Sequence, residues 1–197
     1  DGVGRQTAGG QADDQRFDTI HALGNREILT PNLDRLVRHG TAFTHAFIMG
    51  GGQPAICSPS RAMLMTGRSL LRATTTYEGG TIPPSAPLLP EMFRQAGYAT
   101  HVIGKWHNDR AALQRGFTGG SRIFLGGMAN HTKIALQDFD ATGVYAKTNE
   151  RMATSFSSDI FAHATIYFLK SRANNQPYFL YTACTAPHDP RTPPKEY

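Results

Sequence analysis

Cysteine is scarce in this sequence: two residues in 197. Two thiols cannot build a disulfide framework. One bridge, Cys57–Cys184, stays open, because its geometry cannot be read from sequence. No apolar run approaches the roughly 20 residues that cross a bilayer, and the first residues show no signal-peptide core. Nor is there a basic block. Lysine and arginine number 20 against 15 acidic residues, for a net charge of +5, but they are dispersed. That pattern excludes a nucleic-acid footprint and leaves a modest attraction for anions. No Cys/His spacing of a zinc site occurs along the chain, and no internal repeat. What is present is an ordinary globular composition, 40% hydrophobic and 18% charged, on a chain long enough for one domain with a real core.

Residues 1–12, "DGVGRQTAGGQA", hold four glycines and almost nothing apolar. They read as a leader of flexible or aberrant composition, with the domain proper over 13–197. "TPNLDRLVRHG" is marked as a helix by its Thr-Pro start and Gly stop, with Leu33, Leu36 and Val37 as its apolar face. "TAFTHAFI" alternates and predicts a strand. "LPEMFRQAG" predicts a helix and "YATHVIG" a strand after it. Residues 69–87 read as a loop, and 108–150 as a long excursion with little regular structure. "SSDIFAHATIYFLKSR" is an amphipathic helix. "PYFLYTACTAP" is a buried strand, in which Cys184 serves as a small apolar residue. Helices alternating with strands predict an α/β fold around a mainly parallel sheet.

Within "AICSPSRAMLMTGRSLL", Pro59 suits the first helical position, Ser58 the cap and Gly67 the stop. Cys57 then sits just outside a helix N-terminus, where free N–H groups and the dipole favour an anion. Arg61, one turn on, can reach the same anion with a planar fork. Lys105 and His107 follow one predicted strand and His188 another, and in open α/β sheets ligands bind beyond the carboxyl ends of strands. The paired carboxylates Asp13 and Asp14 suit a hard cation such as Ca²⁺ or Mg²⁺. Taken singly, each has a plain alternative: solvated aspartates, loop histidines, a buried cysteine. Their joint order carries the weight. The remaining histidines, His101 and His131 among them, give no signal above background.

That order resembles the sulfatase family, over Asp13 to Tyr197. "CSPSRAMLMTGR" matches the family's Cys-x-Pro-Ser-Arg and Thr-Gly-Arg signature without a gap. "ADDQR" resembles its N-terminal metal-binding aspartates, and "GKWH" and "APHDP" look like two later active-site motifs. The resemblance implies a formylglycine-dependent sulfuric ester hydrolase with an alkaline-phosphatase-like three-layer sandwich, incomplete in this chain. It implies that a separate maturation enzyme oxidises Cys57 to formylglycine, whose hydrate attacks the sulfur of a sulfate ester, sulfated carbohydrate among the candidates. By the same resemblance, Asp13, Asp14 and modified Cys57 bind Ca²⁺ (or Mg²⁺), and Arg61 and Lys105 hold formylglycine and sulfate. His107 orients or deprotonates the hydrate, and His188 holds sulfate or protonates the leaving oxygen. Further metal ligands are expected beyond Tyr197, so the chain as given is expected to bind Ca²⁺ poorly and to hydrolyse sulfate esters weakly or not at all. A periplasmic or extracellular location is implied, with no nucleic-acid or membrane partner. The alternatives are a phosphonate or phosphate monoester hydrolase of the same superfamily, and an inactive anion-binding fragment.

Overall fold

The computed structural model describes residues 6–50, 56–76, 80–172 and 176–195. In chain order its strands and α-helices are β1 (Gln6–Gln11), α1 (Pro31–His39), α2 (Cys57–Thr66), α3 (Leu70–Ala73), α4 (Leu89–Gln95), β2 (Ala99–Lys105), α5 (Arg110–Gly116), β3 (Gly119–Phe124), β4 (Ile134–Leu136), β5 (Arg151–Ala153), α6 (Ser157–Ser171) and β6 (Tyr178–Ala183). Four parallel strands form the main sheet in the order β1-β6-β2-β3, and β4 and β5 pair as a small antiparallel ribbon.

Both faces of the sheet are covered, as parallel strands require. Along β6, Phe179, Tyr181 and Ala183 join Ala62 and Met65 of α2, Leu88 beside α4 and Leu113 of α5 in one core. The alternate residues Tyr178 and Leu180 join Ile103 and Phe161 of α6 in a second. Period-two alternation on buried strands thus divides the apolar residues between two helical layers. Among the described residues, no helix is long and apolar enough to cross a membrane.

Several expectations are corrected. The glycine-rich residues 6–11, read as part of a flexible leader, form β1, in register from Gln6↔Tyr178 to Gln11↔Ala183. A ladder is made by backbone groups, so small residues suffice where an ordered neighbour offers its edge. Residues 41–48, predicted as a strand, form none; Phe43 and Phe47 are 82% and 88% exposed. Alternation becomes a strand only beside a partner, and no described strand runs there. The buried residue of α1 is Asp34 rather than its leucines, and it accepts from the Ala22 N–H (2.9 Å) and the Thr30 hydroxyl (2.8 Å). The stretch 69–87 contains α3, and 108–150 contains α5, β3 and β4. α5 is started by Asp109, whose side chain accepts from the Ala112 N–H. Cys57 and Cys184 are both free thiols.

His101 on β2 stacks on Phe168 of α6 at 4.4 Å between ring centroids. Burial, aided by the Arg172 charge and opposed by Asp138, pushes its pKa down to about 4. The unfolded chain takes up that proton near pH 6.5, where the folded protein does not. This contribution to stability is therefore present above pH 6.5 and is lost as pH falls towards 4. Urea unfolding at pH 7 and pH 4.5 should show a larger loss for the native sequence than for His101→Phe, which keeps the stack without the titration. Equal losses would refute the assignment.

Candidate functional site

The parallel strands β1, β6 and β2 end at one edge of the sheet, and the charged residues gather there. Asp13 and Asp14 follow β1; the Asp13 N–H bonds the Ala186 carbonyl beyond β6 at 3.1 Å. Lys105 is the last residue of β2, and His107 lies two residues on. His188 lies beyond β6. Cys57 is the first residue of α2 with Ile56 at its cap, rather than a residue outside a helix capped by Ser58. Pro59 falls third, still within the turn whose N–H groups have no helical partner. Asp14 and His107 both hold left-handed backbone, φ 61° and 51°. Such conformations cost L-residues about 1–2 kcal/mol each and persist where surrounding contacts hold them.

Asp13 is the hub. It is 3% exposed. One oxygen accepts from Arg61 Nη2 at 3.1 Å and the other from Lys105 Nζ. Arg61, also buried, donates through Nη1 to the Lys105 carbonyl at 2.6 Å and to the Tyr181 hydroxyl at 3.2 Å. Tyr181 in turn donates to Gln11. The outer half of the site includes the more exposed Asp14. Cys57 Sγ lies 3.8 Å from Asp14 Oδ1, and His188 Nε2 lies 3.4 Å from Asp14 Oδ2. One donor atom each from Asp13, Cys57 and His188 falls within 4.8 Å of the other two.

Burial pushes the Cys57 thiol up, the two aspartates add to that, and Lys105 and Arg61 oppose it. His107 is pushed down to about 4 by burial first and then by the Lys105 and Arg61 charges, so its ring is neutral at pH 7. Arg61 Nε, His107 Nδ1 and Asn108 Nδ2 are buried without a hydrogen-bond partner in this structure. An unpaired buried donor such as Arg61 Nε costs about 1–3 kcal/mol, and an anion in the site would relieve it. A divalent cation also fits the donor set, since an Asp13 oxygen, the Cys57 sulfur and a His188 ring nitrogen converge, with the Asp14 carboxylate against the latter two.

Arg61, Lys105 and Asp13 thus form a buried inner cluster, with Asp14, Cys57 and His188 on its rim. His107 lies within electrostatic reach of Lys105, Arg61, Asp13 and His188. Sequence reasoning missed four neighbours. Tyr181 and Gln11 brace Arg61; a tyrosine in a buried strand needs a partner for its hydroxyl, which was the available signal. Gly127 makes room for His107, because a methyl group there would stand 2.6 Å from the imidazole. Buried His131 bonds the His188 carbonyl through Nε2 at 2.8 Å and meets the Thr185 hydroxyl through Nδ1 at 3.1 Å. Nothing local in the sequence distinguishes it.

Comparison with known proteins identifies the family. The sulfatase family model matches residues 11–197. N-acetylgalactosamine-6-sulfatase of Homo sapiens is 30% identical over 204 residues, 90% of this chain and 38% of its own length. Arylsulfatase J of Mus musculus is 29% identical over 205 residues, 94% of this chain and 33% of its own. Among solved structures, a protein in complex with its substrate D-glucosamine-2-N,6-O-disulfate superposes with a TM-score of 0.77 at 25% identity, covering 96% of this chain and 36% of that one. Ps i-CgsB in complex with k-i-k-neocarrahexaose gives 0.78 at 25%, covering 98% and 47%. The chain therefore spans less than half the length of each of these relatives, and its fold is their alkaline-phosphatase-like α/β architecture. By its matched span, its fold and its strand-end cluster, this chain belongs to the sulfatase family.

Proposed function

We propose that this chain forms the N-terminal part of the catalytic domain of a sulfuric ester hydrolase that acts on a sulfated sugar outside the cytoplasm. The reading is carried by one observation. Cys57, on the first turn of α2, is gathered with Asp13 and His188 within 4.8 Å, beside the buried cations Arg61 and Lys105. Asp13, Asp14 and oxidised Cys57 would hold Ca²⁺. A formylglycine at position 57 would supply a hydrated aldehyde as nucleophile, and a calcium ion held there would supply charge neutralisation at the sulfate oxygens. Arg61 and Lys105 bind and orient the sulfate. Their desolvation strengthens their pull on an anion. His107, neutral at pH 7, can accept a proton from a neighbouring hydroxyl through its unpartnered Nδ1. His188, when protonated, can donate through Nε2 to the leaving oxygen while Nδ1–H stays on the Asp189 carbonyl at 2.8 Å. A sulfated-sugar substrate is supported by the relative solved with D-glucosamine-2-N,6-O-disulfate.

The test uses the full chain made in a host that holds the maturation enzyme. Peptide mass spectrometry should find formylglycine at position 57, and glucosamine 6-sulfate should release inorganic sulfate only from converted protein. Cys57→Ala should abolish release. A converted chain that cleaves matched phosphonate esters and spares sulfates would favour the phosphonate hydrolase, and one that binds sulfate without turnover the anion-binding module.

A further inference from the structure

We infer that His131 is a positioning residue for His188: it clamps the turn that carries His188 from behind and so fixes where that imidazole stands at the edge of the site. The role of His188 in turnover rests on the hydrolase reading, whereas the clamp rests on geometry alone. His131 lies in the loop between β3 and β4, 57 residues before His188, and is 2% exposed. Its Nε2 lies 2.8 Å from the His188 carbonyl oxygen, which can only accept. Nε2 therefore carries the proton, and Nδ1 offers a lone pair. Two hydroxyls face Nδ1, Thr185 Oγ1 at 3.1 Å and Ser157 Oγ at 3.3 Å, and they stand 2.8 Å from each other. One hydroxyl donates to Nδ1, the second donates to the first, and Nε2–H goes to the carbonyl, so every group of the set is paired. Ser157 and Thr185 are buried as well, and a buried polar set of this kind is costly to leave half made.

The ring of His131 is itself held. Phe156 meets it edge-on at 5.9 Å between centroids, and the Ser157 N–H bonds the His131 carbonyl at 2.7 Å. His131 thus ties the start of α6 to the turn that leaves β6. It grips that turn at both ends, through the Thr185 hydroxyl and the His188 carbonyl. Inside the turn the His188 N–H bonds the Thr185 carbonyl at 3.1 Å, and the Asp13 N–H bonds the Ala186 carbonyl. His188 is flanked by exposed Pro187, Asp189 and Pro190, which leaves its carbonyl bond to His131 as a buried tether for that stretch. On the side facing the site, His188 Nε2 stands 3.4 Å from Asp14. Site residues work only when their supports are locked, and a displacement of about an ångström can cost on the order of a hundredfold in rate. Histidine suits the clamp because its donor and acceptor leave opposite sides of one rigid ring. Glutamine can reproduce the reach of Nε2, and asparagine only the place of Nδ1.

The test uses the full chain with nitrogen-15 in its histidines. In the unconverted native protein at pH 8, above the ordinary titration range of histidine, nuclear magnetic resonance should find His131 as the Nε2–H tautomer with a slowly exchanging proton. An Nδ1–H tautomer refutes the clamp. His131→Leu should shift the His188 ring signals, His131→Gln should return them towards their native positions, and His131→Asn should not. Unmoved His188 signals in His131→Leu, or glutamine no better than asparagine, overturns the inference. In converted protein, kcat for sulfate release from glucosamine 6-sulfate should fall about tenfold or more in His131→Asn, with KM little changed, and recover in His131→Gln. The same His131→Asn change in a His188→Ala background should cost nothing further, because a positioning residue acts only through its client. A full additional loss would mark His131 as structural only and overturn the inference. Should a variant unfold, judged by circular dichroism, the native tautomer and the remaining variants decide. Should the converted native chain release no sulfate, the hydrolase reading fails and the histidine spectra still decide the clamp.

Discussion

Asp13→Ala is expected to destabilise the protein by about 3–5 kcal/mol, the usual cost of removing one partner from a buried ion pair. The carboxylate is buried and accepts from both Arg61 and Lys105, neither of which has access to water. Without it, two cations remain in a low-dielectric pocket, and Arg61 already has an unpaired Nε. The loss should far exceed that of Asp14→Ala, whose side chain is 46% exposed and can be replaced by water. Exposed pairs of that kind contribute about 0–1 kcal/mol. Urea unfolding of both variants measures the contrast. Adding Lys105→Met to Asp13→Ala should recover part of the loss by removing one orphaned charge. Similar losses for the two aspartates would show that the inner cluster does not hold the sheet edge together.

Gly104→Ala should cost about 3–5 kcal/mol, from left-handed backbone strain plus overpacking. Gly104 has φ +86°, and a methyl group there would overlap the Ala183 carbonyl oxygen and stand 3.0 Å from its carbon. That oxygen belongs to the neighbouring strand, so relief requires β2 and β6 to part. The same position is where the β2–β3 register shifts: Ile103 faces Ser121 and Gly104 faces Ile123, leaving Arg122 extra. Beyond this break Lys105 reaches Asp13, although Ile103 two residues earlier packs on the α6 side. Gly104→Ala should therefore weaken anion binding as well as the fold. Gly10→Ala is the control, since nothing lies within 4 Å of the added methyl and its φ is ordinary. It should change stability by no more than about 1 kcal/mol, in the stabilising direction. Urea midpoints and sulfate binding by calorimetry check both. A neutral Gly104→Ala would mean the strand ends yield more readily than their close approach implies.

The sequence by itself determined the parts whose cause is local. The Thr30-Pro31 start and Gly40 stop bound α1; the apolar runs of 99–104 and 178–183 became the central strands β2 and β6, since only two-sided burial accounts for such residues. The order Asp13, Cys57, Lys105, His188 was legible because each residue sits at an element boundary, and parallel strands bring such boundaries to one edge. Tertiary structure decided the rest. Residues 6–11 became a strand because β6 lends them a ladder, although their own side chains offer no core. Residues 41–48 did not, because no described strand pairs with them. Asp13 turned inward onto Arg61 and Lys105, while the adjacent Asp14 stayed at the rim beside Cys57 and His188. Two neighbouring aspartates are identical in sequence terms. What separates them is the direction the chain takes after β1, and that direction is set by contacts with β6 and α2, residues more than 40 positions away.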